Sequence, residues 1–137
     1  MILVDTGPLV ALFDPKDDQH ERCVAFLKDV EEPLETTVPV LTEAFHVLGP
    51  ASLGSDRLRD FIARGGVSLW YLDDASLTRA FELMEQYADL PMDLADASLV
   101  VAAESLHTQK VFSIDRRDFE TYRVRRGHRH YPFEVLG

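Results

Sequence analysis

The chain of 137 residues has one cysteine, Cys23. No internal disulfide can form, so the fold must rest on a buried core, for which this length is sufficient. Cys23 itself reads as a core residue of its helix in a reducing compartment, with a reactive thiol as the alternative. Long apolar runs are also missing: no stretch reaches the ~18 residues that would mark a membrane span. The opening MILVDTGPLVALF is apolar but lacks a basic leader, and Asp5 and Gly7-Pro8 interrupt it. A secretory signal is therefore not expected, and the cytoplasm is. Internal repeats, low-complexity tracts and linkers are absent too, so residues 1–137 are expected to form one domain.

Positive charge is scarce. With 14 Lys and Arg against 24 Asp and Glu, the net charge is -10 and the pI about 4.8. Alone, that argues against nucleic acid, whose phosphates are bound by Lys and Arg, and in favour of a solubilising acidic surface. The charge is uneven, however: Arg116, Arg117, Arg123, Arg125, Arg126 and Arg129 crowd the end of the chain with His128 and His130. An acidic body with a basic end could hold a polyanion beside a metal-filled acidic pocket.

Hydrophobic patterning gives the order of elements. Ile2–Val4 is a short strand, and Thr6-Gly7-Pro8 supplies helix-start chemistry for Leu9–Phe13. Asp14-Pro15 ends that helix. Asp18 and Glu21 predict a capping box for a second helix that turns Cys23, Val24, Leu27 and Val30 inward. Pro33 stops it, and Leu34–Val38 is a strand. Pro39 opens a helix with Leu41, Phe45 and Leu48 buried, closed by Gly49-Pro50. A helix over 55–64 buries Leu58, Phe61 and Ile62. Val67–Leu72 is a third strand, and Leu77, Phe81, Met84 and Ala88 repeat at helical spacing as core positions until Pro91. Next comes a helix framed by acids, then the strand Lys110–Ile114 and a last short strand near Tyr131–Val135. Strands alternating with helices predict an α/β fold: a mainly parallel sheet of four to five strands with helices on both faces, α/β/α.

In such a sheet, ligands gather beyond the carboxyl ends of the strands. Asp5 and Asp115 stand at two of those ends, while Glu43 and Asp96 lie near helix starts that can face the same edge. Singly, each acid has a plain explanation. Asp93 is a good N-cap, Asp96 gains from the helix dipole, Asp5 can cap, Glu43 can be merely exposed, and Asp115 with Asp118 can start a turn. Together, acids from four elements at one edge would repel each other unless a cation lay among them. Oxygen donors without cysteine suit Mg²⁺ or Mn²⁺ rather than zinc.

Other metal patterns fit less well. The acids of Asp14–Asp18 do not form an EF-hand, because Lys16 takes the third position and no glycine follows at the sixth. Glu43-x-x-His46 and Glu104-x-x-His107 match the paired element of di-iron bundles, but the segments between them are strands and proline-broken helices. Asp5-Thr6-Gly7 lacks the acidic partner that a phosphatase or receiver domain would carry.

The set MILVDTGPLVALFD, VLTEAF, MDLADASLVVAAE and VFSIDRRDF, in that order, resembles the PIN-domain nucleases, especially the small VapC-like toxins of toxin-antitoxin pairs. The resemblance runs through essentially the whole chain. It implies metal-dependent endonucleolytic cleavage of RNA, leaving a 5'-phosphate and a 3'-hydroxyl. The core acids would be Asp5, Glu43, Asp96 and Asp115, with Asp93 and Asp118 as further acids. Mg²⁺ or Mn²⁺ would sit on Asp5, Asp96, Asp115 and Asp93, and Glu43 would hold a second ion or orient the water. Thr6 would add a hydroxyl beside the first carboxylate, or cap its helix instead. Arg116 and Arg117 would clamp phosphate, or be a solvated helix start. Tyr122 and Tyr131 would stack on bases or be half-buried packing. RNA, a cognate antitoxin protein and a second copy of the chain are the implied partners, and no membrane is. A PIN fold that only binds is the alternative from another class.

Overall fold

The computed structural model describes residues 1–137. Its elements follow the chain as β1 (Ile2–Val4), α1 (Thr6–Phe13), α2 (His20–Asp29), β2 (Leu34–Thr37), α3 (Val38–Leu48), α4 (Leu53–Ala63), β3 (Ser68–Trp70), α5 (Asp74–Gln86), α6 (Leu94–Leu106), β4 (Lys110–Phe112), α7 (Arg116–Thr121), β5 (Arg123–Arg126), β6 (Arg129–Pro132) and β7 (Glu134–Leu136). Five strands make one sheet in the order β3-β2-β1-β4-β7, and every pairing in it is parallel. Ile2, Leu3 and Val4 are all buried, so both faces of the central strand are covered. A continuous aliphatic run is the pattern that a parallel strand between two helical layers demands. The α/β/α arrangement expected from the sequence is the one found.

Helix α6 runs through the centre. Ala95 and the whole run Ala97–Ala103 are buried. The small residues let α5, α3, β1, β2 and β5 approach it from several sides. Burial of every face, rather than one stripe, explains why its amphipathicity is weak. On the sheet, the Phe26 ring of α2 packs 4.2 Å from that of Phe112 in β4.

Several local expectations are corrected. Asp18 and Glu21 form no capping box, because α2 begins at His20 after an uncapped Gln19. Asp17 instead holds the turn, its carboxylate accepting from the Gln19 N–H. Phe81 is 54% exposed, and the core stripe of α5 is Ala80 and Leu83. Strand β4 ends at Phe112, so Ser113 and Ile114 intervene before Asp115. The last strand of the sheet is Glu134–Leu136, while residues near Tyr131 pair with β5 in an antiparallel hairpin. A Phe133 side chain buried against Phe119 separates the two, and Pro132 limits the backbone donors there.

Glu104 also leaves no room for di-iron chemistry. Its carboxylate grips Arg79 through two hydrogen bonds of 2.9 and 3.0 Å and accepts from the Arg125 N–H. It clasps α5 and β5 to α6, in a sheet protein rather than a bundle.

Candidate active site

The site begins with the backbone. The Asp5 N–H donates to the Phe112 carbonyl at 3.0 Å, which fixes the residue after β1 beside the end of β4. Asp5 is the N-cap of α1: its Oδ1 accepts from the Thr6 N–H at 2.8 Å. The Ser113 hydroxyl donates to Oδ2 at 2.9 Å. Both carboxylate oxygens are thereby oriented, and the group is only 8% exposed. Burial raises its pKa to about 6, offset in part by the Thr6 and Ser113 hydrogen bonds.

Asp96 enters from the first turn of α6. Its N–H donates to Asp93 Oδ1 at 2.8 Å, so Asp93 is the N-cap, as the sequence suggested. The Tyr122 hydroxyl donates to Asp96 Oδ2, also at 2.8 Å. Burial and then the nearby charge of Asp5 push the Asp96 pKa to about 8, against the hydrogen bond from Tyr122. At neutral pH without a cation, Asp96 holds a proton.

Glu43, Asp115 and Asp118 complete the acidic wall. Together with Asp5, Asp93 and Asp96 they line one open cavity of about 750 Å³. Burial and Asp93 raise the pKa of Glu43, while burial, Asp115 and Asp93 raise that of Asp118. Asp93 thus bears on Asp5, Glu43, Asp96 and Asp118 alike. The sequence reading gave it a cap and a place among the acids that would hold the ion, and the structure sets it on the cavity wall. Asp115 stands further out, exposed at the start of α7, with no cap bond from its side chain.

Thr6 is not the helix cap. It is the first residue of α1, and its buried Oγ1 has no hydrogen-bond partner. The hydroxyl is near enough to favour the charge on Glu43 without reaching hydrogen-bond geometry. An orphaned hydroxyl inside a carboxylate pocket is a place where a cation's water shell would find a partner.

The donor set fits a hard divalent cation, since no His or Cys lines the cavity. As the side chains stand, no three acids are close enough to share an ion. Uncompensated carboxylates repel one another, and an ion among them would offset that repulsion.

Neither Arg116 nor Arg117 lines the cavity. Arg116 donates to the Val135 carbonyl at 3.0 Å and faces Glu120, which ties α7 to β7. The single cation on the cavity wall is Lys16, carried by the loop between α1 and α2 with Asp17, Asp18 and Gln19. That loop is fixed by the Lys16 N–H donating to Asp14 and by His20 bonded to the Ala11 carbonyl. Lys16 had been read only as the residue that spoils an EF-hand.

Tyr122 is the other residue whose role was missed. It is wholly buried, with edge contacts to Tyr87 and Phe119, so it cannot stack on a base. Ser113 was missed as well, although a buried serine between Phe112 and Ile114 is the signal that would have marked it.

This topology, an all-parallel sheet between helices, sets the acids beyond the carboxyl ends of its strands, where α/β sheets bind ligands. A family model described as PIN domain matches residues 2–124, and the chain belongs to that family. It is 26% identical over 126 residues to Ribonuclease VapC26 of Mycobacterium tuberculosis, an alignment covering 89% of this chain and 92% of that protein. The fold is also that of the crystal structure of Mycobacterium tuberculosis VapC20, titled a Sarcin-Ricin loop cleaving toxin. The TM-score is 0.77 at 17% identity, over 86% of this chain and 94% of that one. No helix is long and apolar enough to cross a membrane.

Proposed function

We propose that the protein is a metal-dependent endoribonuclease, the toxin of a toxin-antitoxin pair acting in the cytoplasm. One observation carries the reading: buried Asp5 and half-buried Asp96, from different elements, bear on each other in a cavity walled by six more carboxylates. Folding holds these charges together at a cost, which is the mark of a site built for a cation. The family and the ribonuclease relative favour RNA as the substrate.

Asp5, Asp96, Asp115 and Asp93 would hold Mg²⁺ or Mn²⁺. The ion would supply Lewis acidity, lowering the pKa of a water and offsetting charge on the phosphate. The chain's own contribution is orientation. Thr6 N–H and Ser113 fix Asp5, Tyr122 fixes Asp96, and Asp93 is fixed by its cap bond. Glu43, whose raised pKa makes its carboxylate a stronger base, orients the attacking water or accepts its proton. Water adds to phosphorus and gives up its proton, the bond to O3' breaks, and O3' takes up a proton from solvent, so the products are a 5'-phosphate and a 3'-hydroxyl. Lys16, on the cavity wall, would meet a non-bridging phosphate oxygen. Arg117, exposed at the start of α7, can reach RNA only outside the cavity. The cognate antitoxin would cover the acidic cavity with a basic side chain, and a second copy of the chain would complete a homodimer.

The test is sequencing of cleavage sites in total cellular RNA after brief induction, beside purified protein with Mg²⁺, Mn²⁺ or EDTA. Discrete cuts with 5'-phosphates that need the divalent ion are expected. RNA binding without any cleavage would make the protein a binding module instead.

A further inference from the structure

The segment Tyr122–Phe133 contains four arginines, two histidines and no acid, in a chain of net charge -10. It folds as the β5-β6 hairpin, with Gly127 at φ 61 in its two-residue turn. None of Arg123, Arg125, Arg126 and Arg129 takes part in any ion pair, although acids are abundant elsewhere. The register places Arg126 opposite Arg129 and Arg125 opposite His130. Like charges directly across an antiparallel pair destabilise it. No ion pair relieves that cost, and the buried Nε of Arg126, which rests over the Tyr131 ring at 5.9 Å, has no hydrogen-bond partner. Arg123 alone is committed, donating to the carbonyls of Glu120, Thr121 and Tyr122 at the end of α7.

We infer that the β5-β6 hairpin is a second RNA-binding surface, separate from the cleavage cavity, on which Arg125, Arg126 and Arg129 grip the phosphate backbone of RNA lying outside the cut. The inference rests on the nuclease reading for its choice of polyanion. No hairpin residue lines the carboxylate cavity. The hairpin nevertheless follows directly on Tyr122, whose hydroxyl touches Asp96, and Glu104 pins its backbone at Arg125. In a chain of net charge -10, a fixed ribbon of arginines free of ion pairs is a local source of attraction for a polyanion. Tyr131 under Arg126 adds an aromatic face that a base can meet, which an acidic protein would not need.

The double variant Arg125→Ala/Arg129→Ala tests this, since neither side chain packs in the core. Binding to single-stranded polyuridylate in EDTA is measured against salt. Each lost phosphate contact lowers the slope of log K on log salt by about 0.7, so the pair lowers it by about 1.4, a loss of about 25-fold in affinity at 0.1 M salt relative to 1 M. Arg125→Lys/Arg129→Lys should keep the slope. Cleavage of the minimal oligonucleotide around a cut should be unchanged, while cleavage of the full transcript weakens. Unchanged slope and affinity would overturn the inference, and loss of binding to polyglutamate in the same variant would then assign the hairpin to an acidic protein. Equal loss on short and long substrates would overturn it too. A parent protein that binds with the expected slope and cuts nothing would end the nuclease reading but support the hairpin's role.

Discussion

The hydroxyl of Tyr122 donates to Oδ2 of Asp96 over 2.8 Å, joining the residue before β5 to the first turn of α6. The two are 26 positions apart, and Tyr122 is wholly buried. A hydrogen bond to the charged form opposes burial and lowers the carboxyl pKa. Tyr122 therefore opposes, without cancelling, the burial and the Asp5 charge that raise the Asp96 pKa.

Replacing Tyr122 by Phe removes that bond and little volume. Stability should fall by about 1 kcal/mol. The pKa of Asp96 should rise further, so the acid limb of the cleavage profile should move to higher pH. A pH-rate profile of Tyr122→Phe with saturating Mn²⁺ is the check. An unshifted limb with the same stability loss would leave Tyr122 as packing alone.

Lys16 and the two arginines of α7 can be separated by substitution. Lys16→Ala should lower kcat/KM about 10- to 100-fold, the worth of a charge-assisted hydrogen bond of roughly 1.5 to 3 kcal/mol. It should leave the melting shift produced by Mn²⁺ intact or larger. Arg116→Ala, by contrast, should reduce the melting temperature through loss of its bond to Val135, with the kinetics of the folded enzyme unchanged. The reverse pattern would return the phosphate clamp to Arg116.

How much of this was legible follows from where the information lies. Aliphatic runs punctuated by Asp5-Thr6-Gly7-Pro8 and by Pro39 mark strand ends and helix starts locally, so the parallel sheet and the acids beyond it could be read. The β5-β6 hairpin could not be read in the same way, because arginines and histidines hide the alternation of a strand. Its one signal was Gly127, which supplies the positive φ of a tight turn. Phe81 shows the limit of periodicity: it shares a helical stripe with Met84, yet α6 covers only the adjacent Ala80 and Leu83. Contacts between Tyr122 and Asp96, or Lys16 and the cavity, depend on the tertiary path and leave no spacing behind.

The metal-free protein should lose stability as pH rises from about 4 to about 8. Asp5 and Asp96 have pKa values of about 6 and about 8 against an ordinary 3.8, so the folded state binds protons that the unfolded chain has released. Stability is then complete below about pH 4 and declines through the two raised values. Glu32 and Asp73 are shifted the other way, and their influence lies below the window from pH 5 upward. Mn²⁺ competes with those protons, so its stabilisation should grow over the same range. Melting at pH 5, 6.5 and 8, in EDTA and in Mn²⁺, tests both slopes, and a metal-free stability that rises with pH would contradict the coupling of the two acids.

Asp96→Asn sets two effects against each other. The amide keeps the shape, its oxygen still accepts from Tyr122, and one of the charges beside Asp5 and Asp93 is gone. Relief of a strained functional site is commonly worth about 0.5 to 2 kcal/mol. The variant in EDTA should therefore melt at or above the parent temperature, with a gain that widens from pH 5 to pH 8 as the parent's Asp96 ionises. It should also lose cleavage and most of the Mn²⁺ melting shift, because an amide cannot supply the charge that draws the ion in. An acid that served only the α6 dipole would behave otherwise, costing about 0.3 to 1 kcal/mol when removed and leaving the Mn²⁺ response whole. A destabilised Asp96→Asn protein with full cleavage would take Asp96 out of the site. Asp5, Asp93 and Glu43 would then have to hold an ion without Asp96, whose proton burial and the charge of Asp5 retain.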